Sequence, residues 1–144
     1  MPSSYLIDQA QKIVFSRGWG VVRDAEVLGH AEALRADPRF EPGFRQVYSF
    51  LDLTEVRVSP DGVRSVAQVN PFHAGSRRAI VVPSDLAFGL VRMFEAHTNS
   101  DQEQFKVFRQ LGPAFEWVGL DPTTQWPARE PDATFGGAAW QAPI

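Results

Sequence analysis

Two short apolar runs, Val47-Tyr48-Ser49-Phe50-Leu51-Asp52-Leu53 and Arg78-Ala79-Ile80-Val81-Val82, each lead within a few residues into a helix-opening signal. A nearly continuous apolar strand offers no polar face to water, so it belongs in a sheet covered on both sides. After the first run, Ser59-Pro60-Asp61 supplies a capping hydroxyl, a proline at the first helical position and an acid in the first turn. Val63, Val66 and Ala67 continue at helical spacing until Asn70-Pro71. After the second run, Pro83 ends the strand and Ser84 caps a helix bearing Leu86, Leu90, Met93, Phe94 and His97 on one side. Strands that alternate with helices in this way need crossover connections, which makes the sheet mostly parallel.

The remaining segments fit around that pair. Tyr5-Leu6-Ile7 and Lys12 to Ser16 are β-branched and aromatic runs spaced for a hairpin, and Arg17-Gly18-Trp19-Gly20 interrupts the second of them. Asp24 is placed to cap a helix whose stripe is Val27, Leu28, Ala31 and Leu34, and Asp37-Pro38 stops it. Gln104 to Phe108 forms a last short strand, and Ala114, Phe115, Trp117 and Val118 a last short helix. The predicted class is α/β: one domain over residues 1–120, order ββαβαβαβα, with a mostly parallel sheet and one antiparallel edge strand.

Residues 121–144 differ in character, with Pro122, Pro127, Pro131, Pro143, Gly136 and Gly137 preventing long elements. Trp126, Phe135 and Trp140 lie in this tail, and aromatics at that density predict docking rather than a solvated linker. Packing on the chain's own domain is the expectation. A tail that crossed to a second copy would instead build a homodimer.

Composition narrows the chemistry. Fourteen basic residues against 17 acidic ones give a net charge of -3, which argues against a nucleic-acid partner. With no cysteine, thiolate catalysis, disulfides and sulfur-ligated metals are excluded. No apolar run reaches the roughly 18 residues of a membrane span, and no signal-peptide pattern opens the chain, so the expected address is cytoplasmic.

The three histidines, His30, His73 and His97, show no helical metal spacing, and no metal site is expected. His30 and His97 fall on or beside helix stripes and read as hydrogen-bonded structural residues. His73 follows Pro71 in a loop and is the one candidate general base, yet no nucleophile elbow accompanies it. Gly18-Trp19-Gly20 lacks the third glycine and the acid of a dinucleotide fingerprint, so no cofactor is expected. With no catalytic constellation, the reading is a non-enzymatic one.

The segment Leu51-Asp52-Leu53-Thr54-Glu55-Val56 leading to Asp61-Gly62-Val63 resembles the strand-to-helix loop of STAS domains. The stretch Arg77 to Leu90 resembles the SpoIIAA-like branch grouped with them as STAS/SEC14 proteins, mostly uncharacterised bacterial proteins. The resemblance spans about residues 4 to 119 and implies that fold. It implies a regulatory or protein-interaction module with a protein partner, Ser59, Asp61 and Gly62 forming the docking loop. In the phosphorylatable members the regulated serine immediately precedes the helix-opening glycine. Here Asp61 stands there and Ser59 reads as the cap, which implies a fixed charge in place of a phosphoswitch. The SEC14 side implies a pocket beside the sheet for a lipid or other small apolar ligand. Phe88, Val91, Met93 and Phe94 are its candidate lining residues.

Overall fold

The structure is a computed structural model. It describes residues 3–73, 75–83, 85, 89, 92 and 105–127, together with the backbone of 134–135 and 138–139. The chain is α/β. Its main sheet has five strands, β1 (Ser3–Asp8), β2 (Ile13–Arg23), β3 (Arg45–Arg57), β4 (Arg78–Val81) and β5 (Phe105–Phe108), hydrogen-bonded in that spatial order. β1 and β2 are antiparallel, as the hairpin pattern predicts, and the other three pairings are parallel. Asp8 closes the hairpin turn by accepting from the Gln11 backbone N–H at 3.0 Å and from its side-chain amide at 2.9 Å.

Helices α1 (Asp24–Ala36), α2 (Pro60–Val69) and α3 (Leu111–Trp117) cover the sheet. Strands added one after another in the same direction, each through a right-handed crossover, place successive helices on one face. Accordingly Leu34 of α1 packs on Tyr5, Ile7 and Val14, and Val63 and Val66 of α2 share a wall with Ile80 and Val82. α3 follows the edge strand β5 and lies on the other face, where Ala114 and Phe115 pack on Leu6, Ile13, Phe15, Val47 and Val81. The period of two sorts the strands between these cores: Val47 and Val81 face α3, Tyr48 and Ile80 face α1 and α2.

Three sequence expectations need correction. The glycine pair at 18 and 20 does not end β2. The strand continues to Arg23, its register with β3 slipping between Arg17 and Trp19 and again between Gly20 and Val21. Second, Val47 to Leu53 is covered on both faces only at its start. β4 pairs with Gln46 to Ser49 alone, and beyond it Leu51 is 37% exposed on a two-stranded extension of β2 and β3. Third, Asp24 is the first residue of α1 and not its cap. Arg23 occupies the cap position, with its backbone N–H donating to Glu26 Oε1 at 3.3 Å.

The helix expected after Pro83 lies outside the described residues except for Asp85, Gly89 and Arg92, whose backbone is helical. In the tail, Trp126 stacks on Phe115 at 6.2 Å between ring centroids and meets Phe15 edge-on at 5.6 Å. The segment through Pro127 therefore docks on its own core, whereas Trp140 lies outside the described residues. Thr134–Phe135 and Ala138–Ala139 pair as two short antiparallel strands, β6 and β7, with β7 beside β1.

Candidate functional site

A cavity of about 130 Å³ opens between α1, α2 and the sheet. Its walls are built by pattern. Val27, Ala31 and Leu34 come from the inner stripe of α1, Val63 and Val66 from α2, and Phe50, Leu53 and Val56 from the extension of β3 beyond the reach of β4. Beyond the reach of β4 the sheet narrows to β2 and β3, and residues of this extension form one wall of the cavity.

Where His30 of α1 meets Tyr48 of β3, the cavity turns polar. Here His30, Gln46, Tyr48 and Arg78 interrupt the apolar lining. Gln46, Tyr48 and Arg78 sit at alternate positions that point to the same face, and Gln46 and Arg78 are register partners across β3 and β4. All four are buried.

His30, Gln46 and Arg78 are linked through Ser16 in one chain of hydrogen bonds. Arg78 Nε donates to Gln46 Oε1 at 3.1 Å, which orients the Gln46 amide so that its Nε2 donates to Ser16 Oγ at 3.0 Å. The Ser16 Oγ lies 2.9 Å from His30 Nε2, a hydrogen bond in which the tautomer of the imidazole sets which atom donates. Burial, with the Arg78 charge adding to it, pushes the His30 pKa down to about 3. Ser16 and His30 thus resemble a nucleophile and base in composition only, since so acidic an imidazolium leaves a poor general base near neutral pH.

Arg78 is the unusual member. Its guanidinium is 4.3 Å from the Phe72 ring centre and 5.3 Å from that of Phe105, and Nη1 donates to Asn70 Oδ1 at 3.1 Å. Burial lowers its pKa, but a guanidinium remains protonated in protein surroundings. The sheet therefore carries a permanent positive charge into an apolar chamber. Tyr48 lies beside it, stacked on Phe50 at 4.3 Å and 3.2 Å from Ser3 through its hydroxyl, with burial raising its pKa.

The docking-loop candidates have a different setting. Ser59 caps α2 by accepting from Gly62 N at 3.0 Å, as its sequence position predicts. Its own hydroxyl donates to Asp24 Oδ2 at 2.6 Å, and its backbone N–H to Asp24 Oδ1 at 2.8 Å. Gly62 is buried against the same carboxylate. Ser59 and Gly62 thus join α2 to α1, and Asp61 alone points to solvent, paired with Arg64. Of the pocket candidates, Phe88, Val91, Met93 and Phe94 all lie outside the described residues.

Sequence reasoning placed His30 correctly on a buried, hydrogen-bonded stripe but missed Gln46 and Arg78 entirely. Both stand at strand starts, where a polar residue ordinarily marks the solvated edge. Only their alternation with Tyr48 and Ile80 hinted at a shared face. His73 is exposed in the loop before β4. Among the described residues no group of His, Asp and Glu could hold a metal ion, and no helix is long and apolar enough to cross a membrane.

Comparison of the chain with known protein families, with curated proteins and with solved structures finds no match.

Proposed function

We propose that this protein is a non-catalytic binder of a small apolar molecule, which it holds between α1, α2 and the sheet. The observation that carries this reading is the cavity of about 130 Å³ walled by Val27, Val63, Val66, Ile80 and Val82. Apolar cavities with a few placed polar groups are the usual form of small-molecule sites, and one of about 150 Å³ accepts a benzene-sized guest. The STAS/SpoIIAA-like assignment is part of the same proposal. It is supported by the likeness of Leu51 to Val63 and by the strand order, and its SEC14 side agrees with an apolar ligand.

The test is titration of methyl-labelled protein with benzene, followed by NMR. Shifts concentrated on Val27, Val63, Val66 and Ile80 support the site, and a Val66→Phe variant that fills the cavity should lose them. Absence of saturable shifts at these methyls overturns the proposal.

A docking module is the second reading, favoured by Asp61, whose side chain is 84% exposed at the start of α2. It operates without a phosphoswitch at Ser59, because the Ser59 hydroxyl is held by Asp24.

A further inference from the structure

We infer that the molecule held in this cavity is a small uncharged hydroxyl compound of about the size of phenol, its hydroxyl bonded to Nδ1 of His30. The inference rests on the apolar-binder reading and adds the chemistry of the head group.

Of the polar side chains in the cavity wall, Gln46, Tyr48 and Arg78 are engaged by the protein. Gln46 gives one end of its amide to Arg78 and the other to Ser16. The Tyr48 hydroxyl lies 3.2 Å from Ser3 Oγ, and the Arg78 guanidinium is bonded to Gln46 and Asn70 and flanked by the Phe72 and Phe105 rings. His30 differs. Its Nε2 lies 2.9 Å from Ser16 Oγ, whereas its Nδ1 has no hydrogen-bond partner among the described residues. The residue is only 3% exposed, so bulk solvent does not satisfy that nitrogen, and its ring is part of the cavity wall. A buried polar atom without a bond is costly, and a ligand that supplies the bond recovers the cost.

The chemistry of the head group follows from the imidazole. Burial pushes its pKa down to about 3, so it is neutral near pH 7. A neutral imidazole presents Nδ1 as an N–H donor in one tautomer and as an acceptor in the other. A hydroxyl both donates and accepts, so it completes the bond in either case. A carboxylate would give up its hydration in an apolar chamber for one neutral partner, and an ammonium cannot accept from an N–H.

Position and size are set as well. The Tyr5 ring meets the imidazole edge-on at 5.5 Å between centroids and the Tyr48 ring lies at 4.6 Å, so His30 is fixed before a ligand arrives and little ordering entropy is lost. The rest of the lining is Val, Leu, Ile, Phe, Ala and Pro, which suits an apolar body. A volume of about 130 Å³ limits that body to roughly six carbons, the size of one benzene ring.

The experiment is isothermal titration of the whole protein with phenol and with toluene at pH 7.5, alongside nitrogen NMR of labelled histidine. Toluene carries a methyl group where phenol has its hydroxyl, and a hydroxyl buried without a partner is penalised, so a purely apolar cavity prefers toluene. The expected result is phenol binding at least threefold tighter than toluene, with phenol alone moving the His30 Nδ1 resonance. In His30→Phe, which keeps a ring and removes both nitrogens, toluene should become the tighter ligand. A preference for phenol below threefold in the unaltered protein overturns the hydroxyl inference and leaves the apolar cavity standing. Tighter phenol binding that leaves the Nδ1 resonance unmoved overturns His30 as the partner. Failure of both compounds to bind overturns the cavity reading as well. Should His30→Phe not fold, the phenol-to-toluene ratio and the Nδ1 shift of the unaltered protein decide.

Discussion

The Asp24 carboxylate occupies the space where a side chain on Gly62 would stand, so the first turns of α1 and α2 are joined across a gap that only glycine leaves open. Asp24 is held there by two bonds from Ser59, through the backbone N–H at 2.8 Å and through the hydroxyl at 2.6 Å.

Gly62→Ala should therefore destabilise the fold by about 2 kcal/mol, the usual scale for overpacking a site whose neighbours cannot move. Combined with Asp24→Ala, which removes the obstructing carboxylate, the cost should fall well short of the sum of the two single changes. Urea unfolding of the four proteins in the cycle measures this coupling. Strict additivity would mean that Asp24 and Gly62 do not meet.

His30 makes stability depend on pH with a definite sign. Its folded pKa of about 3 lies below the ordinary 6.5, so the unfolded chain binds the proton first and stability declines as pH drops below 6.5. Between pH 7 and pH 5 the loss should be about 2 kcal/mol, at roughly 1.4 kcal/mol per pH unit. Asp37, lowered to about 2 by its bonds from Arg39, adds a loss of the same sign only below about pH 4. Urea unfolding at pH 7 and 5 measures the slope, and His30→Gln should flatten it over that interval. An unchanged slope in the variant would assign the effect to another group.

Trp126 joins the tail to the core through Phe15 and Phe115. Trp126→Ala should cost about 2 kcal/mol, less than the 3 to 5 typical of a fully buried aromatic because this ring is half-buried. Trp126→Phe should recover most of the loss. Chemical denaturation followed by far-ultraviolet circular dichroism separates these cases, and a silent Trp126→Ala would mean that the tail contributes nothing to the domain.

The end of α3 is closed by Gly119, at φ +90°, where the Gly119 N–H bonds Glu116 O at 3.0 Å and the Leu120 N–H bonds Phe115 O at 2.8 Å. That paired pattern requires a left-handed residue after the helix. Gly119→Ala should lower stability by about 1 kcal/mol, the cost of a Cβ in that region, and D-alanine introduced by semisynthesis should not. Equal losses for the two enantiomers would mean that the left-handed backbone is not the cause.

Local signals were enough to place most elements. The Ser59 cap, the Pro60 start and the Asn70 stop of α2 depend on bonds and restrictions within a few residues, so a reader of the sequence finds them. The parallel sheet with its antiparallel edge follows from alternation of strand and helix patterns. β2 escaped because two register slips let a strand pass through glycines that locally read as a break.

What the sequence determined by itself was the α/β class, the hairpin and the cap of α2, all set by short-range sterics and hydrogen bonding. Tertiary structure alone decided that Ser16, His30, Gln46 and Arg78 form one buried chain. Its members are separated by up to 62 positions yet lie within 3.1 Å of one another in sequence of bonding. Strand register brings Gln46 opposite Arg78, and the packing of α1 and α2 on the sheet leaves the cavity beside them. Both depend on distances between elements, which no local pattern encodes.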